Sequence, residues 1–377
     1  MTWLRDSRAS AKIAVVSRLR FVEAEEGQLV PKPQMQSDII DGNPMTRAEG
    51  SRLDSAAEKL LADVRATGFP GWAYLTIEQG RKAIGEMKGL AGEPEPVAHV
   101  EDIRIPGERE IPARVYIPDS EHPMPVLVYL HGGGWVLGDP DEIDVPVRSL
   151  ANRSGCAIVS VEYRLAPEHK YPSGLQDVYM AVKWASTSGS QFGWNGQKLA
   201  VGGDSAGGNL AAAVSMLSRD ENGPNICFQL LVYPVLDHDY FTDSYRQFGK
   251  DWGTLTLSDM AWFHCHYVDH PDQLDLPYVS PLRSTNLAGL PPALLILAQG
   301  DPLRDEGLLY AQRLQSAGVQ VEAKLYAGMI HGFWQAGGVL AQGRQAIYDA
   351  ARVLRDCFST DAATAGRMAP ANEPAST

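Results

Sequence analysis

The chain has 377 residues, 44% hydrophobic and 21% charged, which is enough for one large α/β core with a smaller unit attached and excludes a fibrous or wholly disordered protein. Its 33 basic against 46 acidic residues give a net charge of −13, and no Lys/Arg cluster can follow a phosphate backbone or an anionic membrane, which excludes nucleic acid as a partner. The four cysteines, Cys156, Cys227, Cys265 and Cys357, lack the C-x-x-C spacing of zinc or redox chemistry and are expected as free thiols.

In chain order, residues 1–43 mix charge, Pro and Gln with little periodicity and suggest an arm, with Met45 as an alternative start. Within it, Ile13-Ala14-Val15-Val16 is shorter than the about 7–15 apolar residues of a targeting signal. No run anywhere approaches the roughly 18 apolar residues of a membrane span, so the cytoplasm is the expected location. Over residues 47–84, Leu53, Ala56, Ala57, Leu60, Leu61 and Val64 recur at helical spacing and predict an amphipathic helix that needs a surface to cover. Residues 91–96 form a Gly/Pro-containing connector.

Residues 100–105 and 112–117 alternate apolar with polar, as half-exposed antiparallel strands do. Residues 126–130, 157–161, 228–232 and 293–297 are nearly continuous apolar runs, the pattern of strands buried on both faces of a parallel sheet. Helices are predicted over 174–185, 206–217, 306–317 and 344–357. The expected fold is therefore α/β, a mostly parallel central sheet covered by helices on both faces. Residues 237–279 are rich in aromatics, His and Asp and separate two strands by far more than a loop. An insertion of that length carries function or forms a lid. The expected division is an N-terminal arm and cap helices over 1–97, core over 98–236, cap insertion over 237–279, core over 280–359, and a disordered tail over 360–377.

Three constellations carry chemistry. Gly203-Asp204-Ser205-Ala206-Gly207 fits G-x-S-x-G, which alone is weak. Here Leu199-Ala200-Val201-Gly202 leads into it as a strand and Leu210-Ala211-Ala212-Ala213-Val214 leads out as a helix, the context that exposes a nucleophilic serine on a strained turn. Upstream, His131-Gly132-Gly133-Gly134-Trp135 follows the strand at 126–130. Serine attack on an acyl group makes an oxyanion, and the predicted donors to it are the backbone N–H groups of Gly133, Gly134 and Ala206. No Lys-Ser/Thr follows the glycines, as a phosphate loop would require.

Downstream, Asp301 and His331 each follow a strand. The order serine, acid, histidine is that of a hydrolase, in which Ser205 attacks, His331 takes the proton and returns it to the leaving alcohol, and Asp301 fixes the imidazole tautomer. Asp305, Glu306 and Asp237 compete for the acid role. Asp301 sits at a strand end, whereas Asp305 and Glu306 fall in the first turn of a predicted helix, where the dipole favours carboxylates. His131, His169, His238, His264, His266 and His270 compete with His331, which alone follows a strand after the acid.

These segments, with Tyr163-Arg164-Leu165-Ala166-Pro167-Glu168-His169, Asp301-Pro302-Leu303-Arg304-Asp305-Glu306-Gly307 and His331-Gly332-Phe333, resemble the hormone-sensitive-lipase-like group of bacterial carboxylesterases in the α/β-hydrolase superfamily, over residues 98–358. The resemblance implies the α/β-hydrolase fold with a mainly helical cap, a Ser205-Asp301-His331 triad and an oxyanion hole of Gly133, Gly134 and Ala206. It implies hydrolysis of short-chain acyl esters through an acyl-enzyme, with no cofactor and no metal. A small-molecule ester is the expected partner, and a homodimer is left open. Glu168 is expected to orient a loop near the nucleophile through backbone hydrogen bonds.

Other readings stay in view. His264, Cys265 and His266 invite a metal reading, but His264 and His266 diverge on a helix, so the aromatics around them are expected to line a pocket. A catalytically silent small-molecule receptor uses the same scaffold with a triad residue missing, whereas all three are present here. Peptidase, amidase and lipase share the chemistry and differ in pocket shape.

Overall fold

The computed structural model describes residues 53–121, 123–250 and 253–359. The arm over 1–43, the alternative start at Met45 and the tail over 360–377 lie outside the described residues.

Two helices come first, α1 (Ser55–Ala66) and α2 (Ile77–Met87). The single helix expected over 47–84 is thus broken. Gly68 and Gly71 between the two take φ of 76° and 102°, and Pro70 has no N–H to donate. Asp54 caps α1 by accepting from Ala56 N, and Thr76 and Gln79 form a capping box on α2. There follow β1 (His99–Ile105), β2 (Ile111–Ile117), β3 (Met124–Leu130), α3 (Asp144–Ser154) and β4 (Ala157–Val161). Next come α4 (Ser173–Thr187), the single turn α5 (Gly189–Phe192), β5 (Trp194–Asp204), α6 (Ala206–Asp220) and β6 (Phe228–Val232). The described residues end with α7 (Asp243–Phe248), α8 (Leu257–Tyr267), β7 (Ala293–Gly300), α9 (Arg304–Ser316), β8 (Val321–Ile330) and α10 (Ala341–Ser359). No helix was expected at α3, where Pro146 and charged residues obscure the buried stripe of Val147, Leu150 and Ala151.

The eight strands form one sheet in the order β1-β2-β4-β3-β5-β6-β7-β8. β2 pairs antiparallel with β1 and β4, and all other pairings are parallel. Both faces are covered, which is why the central strands are mainly apolar. Val126, Val128 and Leu130 of β3 point to one core, shared with Leu175 and Val178 of α4, Leu210 of α6 and Tyr310 of α9. Leu127 and Tyr129 point to the other, with Leu60 of α1, Leu150 of α3 and Ile347 of α10. This is an α/β-hydrolase architecture. No helix among the described residues is long and apolar enough to cross a membrane.

The topology also places the chemistry. Parallel strands end on the same edge, so the residues that follow β3, β5, β7 and β8 are brought together there. In register, Leu130 pairs with Gly203, and Gly300 with Ile330.

Candidate active site

Ser205 sits on the turn between β5 and α6 with φ 56° and ψ −119°, a backbone region that costs a non-glycine residue about 1–3 kcal/mol. The surrounding hydrogen bonds hold it there. Ser205 N donates to Val232 O at 2.8 Å, and its carbonyl accepts from Asn209 N at 3.0 Å and Val235 N at 3.2 Å. The turn is tight enough that a Cβ at Gly207 would run into the carbonyls of Leu130 and His131, so α6 approaches β3 only with glycine there.

His331 follows β8, and its Nε2 lies 3.0 Å from Ser205 Oγ. Its Nδ1 lies 2.8 Å from Asp301 Oδ2. A proton on Nδ1 donates to that carboxylate and leaves Nε2 as the acceptor for the serine hydroxyl. Asp301 is fully buried at the end of β7, and its Oδ1 accepts from Leu303 N at 2.9 Å. The three residues singled out in the sequence thus form one hydrogen-bonded line.

The competing acids are held elsewhere. Asp305 Oδ2 accepts from Ser244 N at 2.7 Å, Glu306 Oε1 from Leu236 N at 2.7 Å, and Asp237 pairs with Arg283 at 2.7 Å.

The loop after β3 folds over Ser205. Leu137 N donates to Gly133 O at 2.8 Å and Ala166 N to Trp135 O at 2.9 Å, while Tyr163 Oη donates to His131 O at 2.8 Å. Trp135 Nε1 donates to Asn209 Oδ1 at 3.2 Å, and its ring stacks on Tyr267 of α8 at 4.2 Å. These contacts fix the loop from the core and from the insertion together. Gly133 and Gly134 line the pocket beside Ser205 and His331. A Cβ at Gly134 would enter the ring of Phe263, so glycine is required for α8 to close on this loop. Ala206, fully buried, is the first residue of α6, and N–H groups of a first helical turn have no partner within the helix.

The pocket holds about 870 Å³ of empty space, open to solvent, and is mainly apolar as small-molecule sites are. Leu60, Trp72 and Met87 come from the N-terminal segment, Leu137 from the glycine loop, and Leu255 and Phe263 from the insertion.

Of the aromatic cluster, Phe263 reaches this lining, whereas His264 turns inward with Nδ1 at 2.6 Å from Tyr240 Oη. His266 Nδ1 lies 2.8 Å from Trp262 O. Glu168 departs from expectation. It orients its loop chiefly through a bidentate pair with Arg81 of α2, at 2.8 and 2.7 Å, and Arg81 also donates to Val136 O and Ala166 O. That pair draws the Glu168 carboxyl down to about 2. Its signal in the sequence was weak because the partners lie 87 residues apart.

Burial pushes His264 down to about 3, while an unfolded chain titrates histidine near about 6.5. The folded pKa is the lower one, so as pH falls below the unfolded value of about 6.5 the unfolded state takes a proton that the fold refuses, and His264 costs stability. His264→Gln is therefore expected to gain about 2 kcal/mol relative to the parent between pH 7 and pH 5, read from urea unfolding at both values. A difference that does not change with pH contradicts this.

A serine, a histidine and a buried carboxylate at the carboxyl ends of parallel strands, under a glycine loop, are the features of the α/β-hydrolase class. The family profile of the alpha/beta hydrolase fold matches residues 127–335. The carboxylic ester hydrolase LipN of Mycobacterium tuberculosis is 38% identical over 86% of this chain and 88% of its own. The carboxylesterase NlhH of the same organism is 39% identical over 73% and 87%. Among solved structures, the hyperthermophilic esterase of the archaeon Pyrobaculum calidifontis aligns with a TM-score of 0.78 at 38% identity, over 81% of this chain and 99% of its own. The chain belongs to the α/β-hydrolase fold family, in its hormone-sensitive-lipase-like carboxylesterase branch.

Proposed function

We propose that the chain is a carboxylesterase acting on short-chain acyl esters, with Ser205 as nucleophile, His331 as general base and acid, and Asp301 as the carboxylate that orients it. The observation that carries this reading is the unbroken line Asp301–His331–Ser205 at 2.8 and 3.0 Å, opening on an apolar pocket.

The chemistry follows from the geometry. His331 Nε2 takes the serine proton as Oγ bonds to the acyl carbon, and the carbonyl oxygen becomes an oxyanion facing the N–H groups of Gly133, Gly134 and Ala206. The tetrahedral species collapses, the alcohol leaves with the proton from His331, and an acyl-Ser205 ester remains. Water, deprotonated by the same nitrogen, repeats the sequence and releases the acid. Asp301 holds the ring and stabilises the imidazolium at each stage. No step calls for a metal or a cofactor.

The N-terminal helices and residues 237–279 act as the cap in this reading. They are joined by Trp72 Nε1 donating to Thr254 O at 3.0 Å and Ala73 N donating to Asp259 Oδ1 at 2.9 Å, and both supply pocket lining. Substrate size is then set where they meet.

An acyl series of p-nitrophenyl esters from acetate to decanoate, with the butyryl anilide alongside, tests the proposal. The expected kcat/KM is highest at acetate to hexanoate, at least about tenfold lower at decanoate, and below detection for the anilide, because selectivity resides in the fit of the pocket. A maximum at decanoate indicates a lipase, equal turnover of the anilide an amidase, and no turnover at all a binding protein.

A further inference from the structure

The residue before the candidate nucleophile has no part in the steps above, yet the site is built around it. Asp204 is fully buried at the end of β5 and lines the Ser205 pocket. Its Oδ1 accepts from Tyr129 Oη of β3 at 3.0 Å. Its Oδ2 accepts from Gln335 Nε2 at 2.7 Å, and Gln335 lies on the segment after His331. The backbone of Gly132 hydrogen-bonds to the same carboxylate, and glycine is needed there because a Cβ would lie 2.5 Å from Oδ2. One carboxylate thus touches the glycine loop, the histidine segment and the serine turn.

The geometry points to Asp204 as a positioning residue that keeps the N–H groups of the glycine loop and the imidazole of His331 in register with Ser205 Oγ. The inference rests on Ser205 being the nucleophile. Buried carboxylates are costly unless hydrogen-bonded, and this one spends its hydrogen bonds on the very segments whose relative placement sets the barrier. Misplacing a reacting group by about 1 Å costs on the order of 10²-fold in rate.

Burial pushes the Asp204 carboxyl up to about 7, against the opposing pull of Tyr129, His331 and the Gly132 backbone. The other titratable groups facing it are Tyr163 after β4, Tyr233 after β6 and Glu142 before α3. Burial drives the hydroxyls of Tyr129, Tyr163 and Tyr233 well above 10 and keeps them neutral, and it raises the Glu142 carboxyl to about 8.

Asp204→Asn and Gln335→Ala are assayed with p-nitrophenyl butyrate from pH 5 to pH 9, with Glu142→Gln as the control for the neighbouring acid. Expected for Asp204→Asn is a kcat loss of about 100-fold with KM within about threefold. Gln335→Ala is expected to lose about tenfold in kcat with KM nearly unchanged, and Glu142→Gln to leave kcat within about threefold. If Asp204→Asn fails to fold, as read by its melting temperature, the kcat–KM split of Gln335→Ala decides alone. Asp204→Asn retaining more than half of kcat, or a Gln335→Ala loss expressed in KM, each overturns the inference. A Ser205→Ala variant that keeps full activity overturns the nucleophile assignment instead.

Discussion

Ser205→Ala is expected to lower kcat for p-nitrophenyl butyrate by about 10⁶-fold with KM within a few-fold, on the scale found when the serine of a comparable triad is removed. The pocket, the glycine loop and the imidazole all survive this change, so binding persists while the covalent step is lost. What remains is the contribution of the oxyanion donors and of binding, about 10³–10⁴ over the uncatalysed reaction in comparable enzymes. Parent and variant measured at equal active protein and saturating ester give the ratio. A rate undiminished in the variant contradicts the assignment of Ser205.

Asp301→Asn is expected to lose about 10⁴-fold in kcat, because an amide NH₂ turned toward Nδ1 forces the ring proton onto Nε2, where it can no longer accept from Ser205. Asp305→Asn is expected to lose less than about tenfold. Asp305 touches Arg304 and Ser244 rather than the imidazole, so its loss perturbs the loop and not the tautomer. The pair of kcat/KM values discriminates, and a larger loss for Asp305→Asn reverses the assignment of the acid.

The features legible in the sequence were those written in local pattern. β3, β4, β6 and β7 are almost continuously apolar because helices cover both sheet faces. β1 and β2 alternate because they lie at one edge of the sheet. The segments bearing Ser205, Asp301 and His331 stood out because each follows a strand, and parallel strands end together.

What escaped lies in contacts between distant residues or in local breaks. The pair Arg81–Glu168 and the bond from Gln335 to Asp204 span 87 and 131 positions, and no periodicity encodes them. The break between α1 and α2 was hidden by apolar spacing on either side of Gly68, Pro70 and Gly71. α3 was masked by charged residues on its outer face. Long-range polar contacts and glycine-proline breaks decide how the segments over the pocket are seated, while apolar periodicity decides the sheet beneath it.

Stoichiometric labelling by a fluorophosphonate, followed by peptide mass mapping, tests the central claim most directly. The account predicts one adduct per chain, on Ser205, with activity lost in proportion to the label and no adduct in the Ser205→Ala variant. An adduct on another residue, or activity that survives full modification of Ser205, contradicts it.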